Sequence, residues 1–163
     1  MANEFQQAIK NSIQTEKNAM VFYETASAYL KDEGAKKVFA TLAREEREHA
    51  AQFYKLYTGT DIPSLDAFLA TPVDAAESWT AALEQTLASD SGEKAALELA
   101  LDKEQKLEEA LRDAAAKATD PAVKDVYELN ARETKNHYIM IEAEYARLMG
   151  MVSESDQNTF VRE

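Results

Sequence analysis

The chain has 163 residues, 45% of them apolar, with 30 acidic against 18 basic side chains and a formal net charge of −12. That length suits one domain with one sizeable core, and the apolar share excludes wholesale disorder. The negative balance argues against nucleic acid or an anionic membrane as partner, and the absence of cysteine excludes disulfides, zinc ribbons and iron–sulfur or rubredoxin-type centres within this sequence.

Only 4 Gly and 3 Pro occur, while Ala, Glu, Leu and Lys dominate, which predicts an all-α fold. A first helix is predicted from about Asn3 to Leu30, where Phe5, Ile9, Ile13, Met20, Tyr23 and Ala26 recur at helical spacing. Lys31-Asp32-Glu33-Gly34 breaks it, and a second helix follows from about Ala35 to Tyr57, with Val38, Leu42, Phe53 and Leu56 inward and Gly59 past its end. So short a break forces an antiparallel hairpin. Pro63 and Pro72 interrupt the next stretch, from Thr58 to about Ser78, which reads as a long crossover packed on the bundle through Leu65, Phe68 and Leu69. A short helix is expected around Trp79 to Ala88, and Ser89-Asp90-Ser91-Gly92 offers N-cap chemistry for a third long helix from about Glu93 to Ala118. Asp120-Pro121 then opens a fourth, with Asp as N-cap and Pro at the first helical position, and Gly150 can take the left-handed cap beyond Met149. Residues 1–150 are thus expected to form one bundle domain and 151–163 a polar, flexible tail. No signal peptide and no apolar run of about 20 residues is visible, so a cytoplasmic location is expected.

The two hairpins repeat each other without a gap. Glu16 matches Glu104 and His49 matches His137 at one offset of 88 (104 − 16, 137 − 49), and Asp32/Asp120, Val38/Val126, Phe39/Tyr127, Glu45/Glu133 fall in the same register. Two similar hairpins joined by a long link give the ferritin-like four-helix topology, with its crossover between helices two and three. The duplication also carries a Glu and a His from each half toward one interior.

Glu46 and His49, at i and i+3, project about 60° apart and can face one point. Leu42 and Phe53 extend the same stripe. A carboxylate and an imidazole within an apolar stripe are costly to bury unless paired or metal-bound. Taken alone, the pair is also what an exposed, charge-rich helix face contains. Glu16 among Ile9, Ile13, Met20 and Tyr23, and Glu104 among Leu97, Leu101 and Leu111, raise the same question. Recurrence of both residue types at matching positions favours a metal site over coincidence. The repeat has one flaw: Thr134 stands where Glu46 has its match. Glu133, at i−4 from His137, is placed to substitute for that carboxylate, with a surface role as its alternative. Tyr23, two turns beyond Glu16, is either core filler or a hydrogen-bonding or proton-donating neighbour of the metals.

Glu16-x-x-Ala19…Tyr23, Glu46-x-x-His49, Glu104 and His137 together resemble the rubrerythrin family of ferritin-like di-iron carboxylate proteins, over roughly residues 3 to 150. The resemblance implies two iron ions, with Mn or Zn as substitutes, held by Glu16, Glu46, His49, Glu104 and His137. It implies peroxide reduction or ferrous-iron oxidation, with peroxide, dioxygen or ferrous iron as small substrates. Two departures from the family pattern stand out. Leu107 occupies the place of the additional helix-three glutamate many rubrerythrins carry, and the rubredoxin cysteines of typical members are missing. An enzyme built this way needs a separate electron-donor protein. An iron-binding or storage-related protein with slow turnover, and a structural bundle with a partly degenerate site, are the alternative readings. A homodimer is expected from the apolar crossover residues Leu65, Phe68, Leu69 and Trp79 and from association among related proteins.

Overall fold

The computed structural model describes residues 3–89 and 92–150, and among these the regular elements are six α-helices: α1 (Asn3–Tyr29), α2 (Glu33–Leu56), α3 (Leu65–Leu69), α4 (Thr80–Leu87), α5 (Gly92–Lys117) and α6 (Pro121–Leu148). The expected cap residues Asp90 and Ser91 and the tail from Met151 lie outside the described residues. Helices α1 and α2 pack along one another, α5 and α6 do the same, and α6 joins the two pairs by touching both α1 and α2.

Local chemistry sets the helix starts. Asp32 caps α2 by accepting from Ala35 N at 2.9 Å, and Asp120 caps α6 by accepting from Ala122 N at 2.9 Å, with Pro121 following at the first helical position. Helix α2 begins at Glu33, earlier than the Gly34 breaker suggested. Gly34 falls in the first turn of α2 beside the mobile end of Arg147, which also bonds the cap residue Asp32. From the other hairpin, Glu93 accepts the backbone N–H groups of Lys31 and Asp32 at 2.5 and 2.6 Å, so the α1–α2 turn is held by α5 and α6 together. Gly150 takes φ 76°, as expected for a left-handed cap.

The core divides into an end formed by Phe22, Tyr23, Phe39, Leu42, Leu97 and Ile141 and an opposite end formed by Ile9, Ile13, Phe53, Val123 and Val126. The long connection from Thr58 to Trp79 carries α3. Leu69 is buried against Met20 and Ala50, with Leu65 and Phe68 half-buried beside it. Lys17 pins the crossover down by donating to Thr71 Oγ1 and to the Pro72 carbonyl at 3.4 Å, with its ammonium 4.2 Å from the Phe68 ring centre. Trp79 packs against the first core cluster. Of the four apolar residues behind the homodimer expectation, Leu69 is buried within the single chain and Leu65, Phe68 and Trp79 are half-buried.

Candidate metal centre

The two apolar ends are separated by a polar layer. Along α1, Glu16 lies between Ile13 of one cluster and Ala19 and Phe22 of the other; along α2, Glu46 and His49 lie between Leu42 and Phe53; along α6, His137 lies between Val126 and Ile141. Glu16, Glu46, Glu104, Thr134 and His137 are all buried. Helical periodicity produces this directly, since each polar residue falls on the stripe its apolar neighbours define.

Glu46 is at the middle of the group. Its Oε1 is 3.5 Å from His49 Nδ1 and 3.6 Å from His137 Nδ1, and Glu16 Oε2 is 3.7 Å from His49 Nδ1. The two imidazoles are stacked, nearly parallel at 11°, with ring centres 5.9 Å apart. Both Nδ1 atoms thus face the carboxylates of the interior, while both Nε2 atoms face outward to a glutamate of the other hairpin. His49 Nε2 meets Glu133 at 2.6 Å, and His137 Nε2 lies 3.5 Å from Glu45. Glu45 and Glu133 match each other in the sequence repeat, so the crossing follows the duplication.

The electrostatics reflect this crowding. Burial opposes charge on His49, but the carboxylates of Glu133, Glu16 and Glu46 outweigh it and push its pKa up to about 12. Burial, reinforced by the charge on Glu16, raises Glu46 well above the ordinary carboxylate value. Burial and the charge on Glu104 raise Tyr23 in the same way, so its phenol stays a donor; its hydroxyl donates to Glu104 Oε1.

Glu104 stands apart from the rest. Its Oε1 also accepts from Lys103 Nζ at 2.9 Å, and the two compact groupings of potential ligand atoms among the described residues are Glu46–His49–His137 and Glu16–His49–Glu133. The structure thus gathers five of the six candidate ligands and turns Glu104 toward Tyr23 and Lys103. Glu133 lies against His49 rather than beside Thr134's own histidine, His137. Two residues escaped the sequence reading. Glu45 was given no part in the site, although its match with Glu133 in the repeat was a usable signal. Lys103 carried no signal, because nothing in Asp102-Lys103-Glu104-Gln105-Lys106 sets it apart from a solvated helix face.

The residues fit a metal. Glu16 Oε2 and His49 Nδ1 are buried with no hydrogen-bond partner among the described residues, an arrangement that is unfavourable unless a cation completes it. Carboxylate oxygens with two imidazoles and no thiolate suit Fe, Mn or Zn.

Comparison with protein families agrees. The rubrerythrin family model matches residues 7–145, and the chain belongs to that family. The comparisons with curated proteins and with solved structures returned no match. No helix among the described residues is long and apolar enough to cross a membrane.

Proposed function

We propose that the chain is a ferritin-like di-iron protein that reduces peroxide or oxidises ferrous iron inside its bundle. In this reading the two hairpins are related by an approximate two-fold axis, and the long crossover that carries α3 lies between the second and third long helices, α2 and α5. The observation that carries it is the set of orphaned buried donors, Glu16 Oε2 and His49 Nδ1, around the doubly faced carboxylate of Glu46. Glu16, Glu46, His49, Glu104 and His137 would hold the metals, which when reduced supply the two electrons that convert peroxide and two protons to water.

The chain's own residues provide the setting. Glu133 lies 2.6 Å from the outer nitrogen of His49 and Glu45 3.5 Å from that of His137, and Nδ1 of each histidine faces inward. The two apolar core clusters flank this layer on either side. Tyr23 keeps its proton and holds Glu104 by donating to it. Because the sequence contains no cysteine, electrons would come from a separate donor protein.

A second reading, iron binding with slow turnover, draws on Thr134 and on the engagement of Glu104 by Lys103, both of which lower the number of free oxygen ligands. Anaerobic loading with ferrous iron followed by peroxide decides between them. Two irons per chain, oxidised rapidly by one equivalent of peroxide, support the enzyme. Bound iron oxidised no faster than free iron supports the storage reading, and a chain that retains no iron sinks both.

A further inference from the structure

A cavity of ≈260 Å³ opens between α1, α5 and the end of the crossover, lined among others by Thr15, Asn18, Glu77, Trp79, Lys103 and Lys106. Lys103 is the unusual member. It is only 5% exposed, and an ammonium carries three donors. Among the described residues it has one hydrogen-bond acceptor, Glu104 Oε1 at 2.9 Å. The rings of Phe22 and Tyr23, 5.1 and 4.9 Å from Nζ, lie on its core side. The other buried lysine, Lys17, shows what saturation looks like: it has a hydroxyl, a carbonyl and a ring to itself. Lys103 lacks acceptors on the side where it lines the cavity.

The remaining walls suit an acceptor-rich guest. Lys106 lies 5.4 Å from the Trp79 ring centre and reaches the same space. Asn18 has its carbonyl oxygen engaged by Gln14 at 2.8 Å, which leaves its NH2 group to donate. Trp79 takes the left-handed φ of 66° and sets its ring against the cavity. Two acidic side chains oppose an anion, but both are weak opponents. Glu77 is exposed, and Asp102, 3.1 Å from Lys106, is half-exposed, so solvent screens both charges.

We propose that this cavity binds a small oxyanion, a phosphate or a carboxylate, between the ammonium groups of Lys103 and Lys106. The site adjoins the proposed metal ligand Glu104 through Lys103, but none of the contacts it offers an anion needs a metal.

Trp79 is the one tryptophan of the chain and lines the cavity, so its fluorescence reports binding directly. Inorganic phosphate and acetate are titrated separately into the full chain, at constant ionic strength against sodium chloride, as purified and again after chelator treatment. A saturable change in the chelated protein is expected, and which anion produces it tells phosphate from carboxylate recognition. Lys103→Met should weaken binding by about 10-fold or more, the scale of a hydrogen bond to a charged group. Lys106→Gln, at an exposed side chain that leaves folding intact, should weaken it by about 3-fold. The proposal is overturned if neither anion gives a saturable response beyond chloride, or if the response vanishes with the metal. Unchanged affinity in Lys106→Gln also overturns it, whether or not Lys103→Met folds.

Discussion

Replacing Glu133 tests whether the carboxylate from α6 governs His49 on α2. The contact is a charge-assisted hydrogen bond of 2.6 Å to Nε2. Such a bond contributes about 1.5–3 kcal/mol, and a neutral acceptor keeps roughly half of that. Glu133→Gln should therefore cost about 0.75–1.5 kcal/mol of preference for the charged imidazole, equivalent to a fall of about 0.5–1 in pKa. Glu133→Ala, which removes the acceptor altogether, should lower it by about 1–2 from the starting value near 12. Glu16 and Glu46 remain within 3.7 and 3.5 Å, so His49 should stay above the ordinary histidine range in both variants. The chain has 2 histidines, and NMR titration of their ring protons in metal-free protein reads His49 with His137 as internal control. Metal affinity should fall about 10-fold or more while the number of metals bound stays the same. The reasoning fails if His49 titrates unchanged in both variants, if His137 moves equally, or if one metal is lost outright, which would make Glu133 itself a ligand.

Three further outcomes are expected. Thr134→Glu should tighten the weaker metal position by at least about 10-fold in a metal titration, while lowering the melting temperature of the metal-free chain, because a carboxylate is then buried without its cation. Metal-free stability should fall as pH rises above about 6.5, by up to about 1.4 kcal/mol per pH unit from His49 alone, because its folded pKa near 12 lies above the unfolded value and the native state holds the extra proton; the raised Glu46 acts in the same direction at lower pH, and urea melts that show stability increasing from pH 7 to 9 would contradict this. Asp120→Ala, which removes the cap on Ala122 N, should cost about 1 kcal/mol in the same assay, with little change in metal content.

Most of the architecture was legible because helix signals are local. Asp120-Pro121 and Gly150 do what their chemistry dictates, and the apolar stripes mark the buried faces except at Leu56, expected inward on α2 but 51% exposed near its end; Asp32, read only as part of the break, is the α2 cap. Gly34 misled because Asp32 caps α2 two residues earlier and draws the glycine into the first turn. The site was legible through the repeat, which pointed to Glu16, His49 and His137, and through the i, i+3 spacing that adds Glu46 to His49. The direction in which a side chain turns was not. Glu104 is buried as expected, yet it faces Tyr23 and Lys103, and that choice depends on a neighbouring lysine whose burial only the packed helices determine. Glu133 likewise has the reach to approach either histidine, and the crossing to His49 is settled by how the hairpins dock.

That crossing also fixes how far one hairpin can slide along the other. Apolar side chains attract without direction, so Leu42, Phe53 and Ile141 would tolerate many axial offsets at similar cost. A displacement of a single residue's rise, about 1.5 Å, is enough to break the 2.6 Å contact between Glu133 and His49. The polar layer acts as the ratchet tooth of the bundle: the oily ends supply the grip, and the exchanged carboxylates choose the notch.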